Sequence, residues 1–510
     1  MIRMIRLAVT IGTLTAALLA GCAVGPDFKQ PHAPPVAGYA ETPLPQETAA
    51  SPGPGGAAQR LIPDRDIPAE WWTLFHSPPL DQLIRRALAD SPTLVASQAT
   101  LRQSQEIVRA QIGGVLFPSV DGTLSVERQQ VTGASFGQPN APASLFSLYN
   151  ASVGVSYSLD LFGGARRELE ALRSLVDYQR YQLEGAHLTL TANIVTAAVK
   201  EASLREQILT TEELITALEK QVDLVERQFQ LGGASRSDVL AQRTLLAQTR
   251  VALPPLELEL AQTRHQLAVL VGAFPVEAAL PEFTLDGLEL PQELPVSLPS
   301  SLVRQRPDVL ASESLLHQAS AEIGVATAAL FPQVTLTGSY GSQSSKTGDL
   351  FSGPASVWSL GGALLQPIFH GGELTAKRRA AIDAYDQAAA QYRQTVLTAF
   401  QNVADVLRAL ELDAKLLNEQ AKAEATARDA LTLTQKQFDL GAVNFLSLLV
   451  AQRQHRQAQV LLIQAQARRY ADTAALFQAL GGGWWNRGGS IEPGGAGGAG
   501  DAQPAAVSAK

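Results

Sequence analysis

Residues 149–161 read Tyr-Asn-Ala-Ser-Val-Gly-Val-Ser-Tyr-Ser-Leu-Asp-Leu, thirteen positions in unbroken alternation. Tyr149, Ala151, Val153, Val155, Tyr157, Leu159 and Leu161 are apolar, and small polar residues stand between them. Alternate side chains of a β-strand point to opposite faces, so the pattern predicts a strand with one apolar and one small-polar face. Three further segments share this character. Val120, Leu124 and Val126 alternate with Asp121, Thr123, Ser125 and Glu127. Val334, Leu336 and Tyr340 alternate with Gln333, Thr335, Thr337 and Ser339, and 357–366 carries Trp358, Leu360 and Leu364 on one face. Strands of about ten residues with this pattern match the lipid and lumen sides of an outer-membrane barrel. The competing reading is the edge of a soluble sandwich. About eight strands are the minimum for a barrel. An open edge in lipid leaves backbone groups unpaired at a cost of several kcal/mol each. The strands are therefore expected to be completed by other copies of the chain.

Outward from these strands the chain repeats itself. Phe117-Pro118 is answered by Phe331-Pro332, and Gly163-Gly164 by Gly371-Gly372. Phe229-Gln-Leu-Gly232 is answered by Phe438-Asp-Leu-Gly441, and Ala241-Gln-Arg243 by Ala451-Gln-Arg453. The offsets lie between 208 and 214, which implies duplication of a unit of about 210 residues.

Each half holds a long segment without helix breakers. Residues 165–231 contain no Pro and a single Gly, Gly185, and 373–440 contain neither. At 1.5 Å per residue, each spans roughly 100 Å as a helix. Leu169, Leu172, Val176, Leu183, Leu190 and Ile194 recur at spacings of three, four and seven, a stripe that packing alone explains. Leu-Gly pairs at 231–232 and 440–441 end the helices, because Gly adopts the left-handed cap. Ser235 or Ser237, and Asn444, are placed to cap the returning helices. Pro254-Pro255 is expected to kink the first return.

The N-terminus reads as an export signal. Arg3 and Arg6 precede an apolar run from Leu7 to Ala20, which ends in Leu19-Ala20-Gly21-Cys22. This ending looks like a bacterial lipobox, cleaved before Cys22, whose thiol then carries a diacylglycerol. Cys22 is the sole cysteine of 510 residues, so no disulfide forms within the chain. Ala at 23, where Asp commonly signals inner-membrane retention, favours the outer membrane.

Removing residues 1–21 takes away two arginines and moves the formal charge from −8 to −10. An acidic chain argues against nucleic acid as a partner. The seven histidines show no metal-ligand spacing. No Gly-rich segment continues into Lys-Ser or Lys-Thr, so a phosphate loop is not expected. The reading is of a non-enzyme without cofactor or metal, apart from the lipid on Cys22.

The domain plan follows. Residues 1–21 are the signal and 22–68 a lipidated, extended Pro/Gly/Ala-rich tether. The first repeat is 69–272, with strands at 118–131 and 148–161, a long helix at 165–231 and its return at 235–271. Residues 273–298 are an equatorial linker. The second repeat is 299–485, with strands at 332–342 and 357–366, a long helix at 373–440 and its return at 442–480. Residues 486–510 are a disordered tail.

Six segments carry a resemblance. They are Cys22-Ala-Val-Gly-Pro-Asp-Phe-Lys-Gln-Pro31, Trp71-Trp-Thr-Leu-Phe-His-Ser-Pro-Pro-Leu-Asp81 and Tyr157-Ser-Leu-Asp-Leu-Phe-Gly163. The others are Leu298-Pro-Ser-Ser-Leu-Val-Arg-Gln-Arg-Pro-Asp308, Gln366-Pro-Ile-Phe-His-Gly-Gly372 and Ala479-Leu-Gly-Gly-Gly-Trp484. Over about 22–485 the chain resembles the TolC-like outer-membrane efflux factors, specifically the OprM/NodT-type lipoproteins. The resemblance implies a mainly α fold with a β-barrel part, in a homotrimer. Four strands from each chain make a 12-stranded barrel in outer-membrane lipid, continued by a periplasmic helical tube. It also implies docking on a membrane-fusion adaptor, with energy from an inner-membrane transporter of the resistance-nodulation-division class. The expected function is the exit duct of a tripartite pump for small toxic compounds. A duct for heavy metals or type I protein secretion is the alternative, and a non-conducting periplasm-spanning lipoprotein is the alternative of another class.

The hairpin tips are the candidate gate and adaptor contact. The first carries Leu231, Gly232, Arg236, Ser237 and Asp238, and the second Asp439, Leu440, Gly441, Asn444 and Phe445. A ring of Asp439 carboxylates would attract cations, and capping with solvation is the competing explanation. Phe146, Tyr149, Phe351 and Trp358 are candidate membrane-interface aromatics, with simple strand packing as the alternative.

Overall fold

The computed structural model describes residues 23–487 except 37, 40, 41, 43, 44, 133, 135, 136, 138, 139 and 141. The signal, Cys22 and residues 488–510 lie outside the described residues. In chain order the elements are β1 (Arg60–Pro63), α1 (Pro78–Asp90), α2 (Pro92–Leu116), β2 (Ser119–Val131), β3 (Ser144–Leu159), α3 (Gly164–Gln230) and α4 (Arg236–Leu270). Then come β4 (Glu293–Val296), α5 (Pro299–Gln305), α6 (Pro307–Ala328), β5 (Gln333–Ser344), β6 (Ser356–Leu365), α7 (Glu373–Asp439) and α8 (Phe445–Ala479).

Local chemistry sets these boundaries. α1, α2, α5 and α6 open on Pro, whose missing N–H costs nothing in the first turn. The two 67-residue helices follow Gly163 and Gly372, both left-handed at φ 77° and 87°. α4 runs through Pro254 and Pro255 as one helix.

β2, β3, β5 and β6 form one antiparallel sheet in that order. β3 and β5, from different repeats, are its central pair, and β2 and β6 are its edges. Below the sheet α3 is the central helix. It packs against α2 and α4, and against α6 and α8, while among the described helices α7 packs mainly on α6 and α8 and meets the N-terminal segment where the Phe400 ring lies 5.6 Å from that of Tyr39. α3 buries side chains on several faces between Leu190 and Leu204, and below that a stripe of Gln207, Thr211, Leu218, Val222 and Val225. α7, equally long, buries a single stripe at spacings of three and four: Tyr392, Val396, Ala399, Val403, Leu407, Leu410, Ala414 and Leu417. Among the described residues, one flank of α7 is thus left exposed.

The main core sits at mid-height. Trp71 stacks on Phe477 with ring centroids 5.2 Å apart, in one continuous core with Phe75, Leu80, Ile84, Ile194, Leu267, Leu294 and Leu407. β1 and β4 pair in parallel here, Arg60 opposite Glu293, and bind the segment before the first repeat to the linker between the repeats. Four-residue strands carry no readable alternation, and sequence reasoning did not find this pair.

The expected extended tether is instead a strap seated on the body. Phe28 stacks on His317 at 4.3 Å, Gln30 donates to Glu313 at 2.7 Å, and Tyr39 donates to the Ser297 carbonyl at 2.8 Å. Lower down, the fully buried Arg469 donates to the Ala57 carbonyl at 3.0 Å and to Thr48. Burial draws the Arg469 guanidinium down to about 10. A Pro- and Gly-rich composition disfavours regular elements but does not prevent docking where polar partners accept the backbone. The body also continues slightly past 485, because the Asn486 side chain donates to Asp66 at 2.7 Å.

Candidate functional site

Strand register assembles the apolar face. Val120 stands opposite Val155, Val155 opposite Gly338, and Gly338 opposite Leu360. A second row runs through Tyr157, Leu336 and Gly362, and a third through Val153, Tyr340 and Trp358. The other face lines up Thr123, Ser152, Gly341, and Asp121, Gly154, Ser339, Ser359. The apolar face is uncovered: Leu360 is 84% exposed, Trp358 75% and Leu124 77%. A contiguous apolar band this large is unfavourable in water and is what a lipid-facing barrel wall requires. None of the described helices is long and apolar enough to cross a membrane.

Tyr149 and Trp358 lie on the apolar face, and exposed Phe351 sits in the β5–β6 connection. Phe146 does not belong with them. It pairs with Gln129, three residues from Tyr149, and odd spacing along a strand turns it to the small-polar face.

At the opposite end of the sheet lies an aromatic contact that sequence reasoning missed. Phe162 and Phe331 stack at 4.7 Å, where β3 passes into α3 and α6 into β5. The first described residues are fastened beside it. Val24 N–H donates to the Phe162 carbonyl at 3.0 Å. Buried Arg167 donates to Asp27 at 2.6 Å, to Glu170 at 2.7 Å and to the Val24 carbonyl at 3.3 Å. Burial alone would lower the Arg167 pKa, but these carboxylates outweigh it and hold it raised. Gly25 meets Gly324 so closely that a Cβ on Gly25 would lie 2.4 Å from the Gly324 Cα. No periodicity marks this clamp in the sequence.

The hairpin tips are built by capping. At the first, Leu231 is exposed and Gly232 is left-handed at φ 81°. Ser235 Oγ accepts from Asp238 N–H at 3.2 Å, and Asp238 Oδ2 accepts from Ser235 N–H at 2.9 Å, a reciprocal capping box. Ser237 joins through its hydroxyl, 2.6 Å from that of Ser235, and Arg236 opens α4, exposed. At the second tip, Gly441 is left-handed at φ 74° and Asn444 Oδ1 accepts from Ser447 N–H at 3.0 Å. Asp439 accepts from Gln435 at 2.9 Å, and Leu440 is exposed.

Phe445 is not presented at the tip surface. It is buried against Phe438, centroids 5.6 Å apart, in a small core with Val225, Val239, Leu448 and Leu449. That core joins the two hairpins. Glu226 with Arg243 at 2.7 Å, and Glu219 with Arg250, tie α3 to α4 beside it.

At mid-height, burial and then hydrogen bonding and repulsion from Asp413 push the Asp472 carboxyl up to about 8. Burial and then Arg487 depress His187 to about 4. Among the described residues no cluster of three or more His, Cys, Asp or Glu groups suits a metal ion.

The family described as outer membrane efflux protein matches residues 83–273 and 298–482. The chain is 33% identical over 483 residues to the probable efflux pump outer membrane protein TtgC of Pseudomonas putida, covering 93% of this chain and 95% of that one. It is 34% identical over 425 residues to the pyoverdine export outer membrane protein OpmQ of Pseudomonas aeruginosa, covering 81% and 87%. Among solved structures it is similar to the outer-membrane channel OprN, with a TM-score of 0.81 at 27% identity, covering 91% of this chain and 100% of that one. It is also similar to the open state of the Neisseria gonorrhoeae MtrE channel, with a TM-score of 0.77 at 27% identity, covering 91% and 99%. A duplicated unit of paired strands and a long helical hairpin, with one bare apolar sheet face, suits the wall of a membrane duct, and the chain belongs to the outer membrane efflux protein family.

Proposed function

We propose that three copies of this chain form the exit duct of a tripartite efflux pump for small toxic compounds. The observation that carries this reading is the sheet: four strands with an in-register apolar face and two unpaired edges, at the head of hairpins roughly 100 Å long. Three such sheets make a 12-stranded barrel, and the helices continue it as a tube. The hairpin tips, at the far end from the membrane, meet a periplasmic adaptor, which links them to an inner-membrane transporter of the resistance-nodulation-division class. Exposed Leu231, Arg236, Leu440 and Asp439 supply the contact, and separation of the hairpins opens the duct. A diacylglycerol on Cys22 inserts into the inner leaflet. The seat of Ala23 and Val24 beside the sheet-to-helix junction supports this, because it puts the residue after Cys22 at the lower edge of the apolar band. The wall carries solutes without catalysing a reaction.

The test is drug accumulation in a deletion strain complemented with wild type or Cys22→Ala, together with conductance in planar bilayers. Restored efflux of dyes or antibiotics, with discrete channel currents, is the expected result. Normal accumulation of antibiotics, dyes and metals in the deletion strain would remove the efflux reading. An absence of conductance would leave the structural lipoprotein.

A further inference from the structure

Because the chain is a duplication, its internal seam is a template for the seam it lacks. β3 meets β5 across the boundary between the two repeats, in a register that sets Leu159 opposite Val334 and Val153 opposite Tyr340. The same junction carries the stack of Phe162 on Phe331. The repeat counterpart of β3 is β6, and that of β5 is β2. These are the two edges left unpaired among the described residues. Phe162 corresponds to Phe369 at an offset of 207, one position from the Gly163–Gly371 offset, and Phe331 corresponds to Phe117 at 214. Both counterparts are uncovered, Phe369 at 86% and Phe117 at 62% exposure.

We propose that β6 of one copy pairs antiparallel with β2 of the next, Leu364 opposite Gly122, and that Phe369 stacks on Phe117 of that next copy. The proposal rests on the duct reading above and fixes which residues meet in it. Three observations agree with this register. The offset of 207 turns the odd, apolar-facing positions of β3 into the even, apolar-facing positions of β6, and the even offset of 214 preserves parity from β5 to β2, so both faces stay continuous. All ten residues of β6 find a partner inside β2. Side-chain sizes also alternate across the seam: Leu364 meets Gly122, and Gly362 meets Leu124, as Leu360 meets Gly338 inside the chain. On the small-polar face Ala363 meets Thr123 and Gly361 meets Ser125.

Cysteine pairs test the register in full-length protein assembled in the outer membrane. Directly opposed residues have Cα atoms about 4.5–5.5 Å apart and are within disulfide reach, whereas diagonal neighbours lie beyond about 7 Å. Thr123→Cys with Ala363→Cys is expected to give oxidant-dependent dimers and trimers on a non-reducing denaturing gel. Ser125→Cys with Ala363→Cys, and each single variant, should give monomer. A trimer in detergent that cross-links through the Ser125 pair, or through neither, overturns the register. A chain that remains monomeric in detergent instead overturns the duct reading beneath it. Should the cysteine pairs prevent assembly, Phe369→Ala and Phe117→Ala decide. Each should lower the temperature at which the oligomer dissociates, and the double variant should lower it no further than the stronger single one. Additive shifts would show that the two rings do not meet.

Discussion

Arg167 Nη2 lies 2.6 Å from Asp27 Oδ1, and through this contact the head of α3 holds the first described residues of the chain. Arg167 is buried while Asp27 is exposed, so the hydrogen bonds to Glu170 and the Val24 carbonyl supply much of the stabilisation. Arg167→Met should cost about 2 kcal/mol, the scale of lost charged hydrogen bonds. It should also expose the Lys29 peptide bond to trypsin, while Cys22→Ala leaves the strap protected. Thermal melting and timed proteolysis measure both.

Two glycines separate strain from crowding. Gly232→Ala meets nothing within 4 Å, so only its positive φ is penalised, and the loss should be about 1 kcal/mol. Gly25→Ala adds a clash with the Gly324 backbone to the same φ penalty and should lose more than Gly232→Ala. Denaturant midpoints of the two variants should fall in that order, and the reverse order would mean that the Gly25–Gly324 approach is relaxed in solution.

Neighbouring residues of β6 should respond oppositely to charge. Leu360→Arg puts a cation on the apolar face and should cost about 2–4 kcal/mol near the membrane midplane, reducing insertion. Ser359→Arg lies on the small-polar face and should insert normally while changing ion selectivity. Membrane fractionation with single-channel recording distinguishes them.

Asp472, buried beside Asp413, predicts a pH dependence whose sign can be worked out. Its folded-state pKa, about 8, lies above the ordinary value of 3.8, so the folded form binds the extra proton. Its contribution is present below about pH 4 and is lost as pH rises toward 8. Asp472→Asn should therefore flatten the fall in melting temperature between pH 5 and 8 and melt above wild type at pH 8. A wild-type melting temperature that rises over that interval, with Asp472→Asn unchanged from it, would contradict the assignment.

The regular parts of this fold were legible because their physics is periodic. Alternation from Tyr149 to Leu161 and the breaker-free run from Glu373 to Leu440 each encode one geometry along many residues. The tips were legible as Leu-Gly pairs, because positive φ favours glycine. The clamp of Arg167 on Asp27, the buried Arg469 under the strap and the β1–β4 pair were not, since each joins residues far apart in sequence through one or a few contacts. Phe445 and Phe146 show the same limit. Sequence placed them at the tip and near the membrane, but only packing and register decide whether an aromatic faces outward.

The unpaired edges of β2 and β6 have a genetic consequence. If the wall closes by joining copies, as proposed above, each chain shares its defects with its neighbours. In a cell making equal amounts of wild-type and seam-defective copies, only about one in eight three-copy assemblies would contain wild type alone. Seam mutations should therefore behave as dominant negatives, whereas mutations confined to the strap should be recessive.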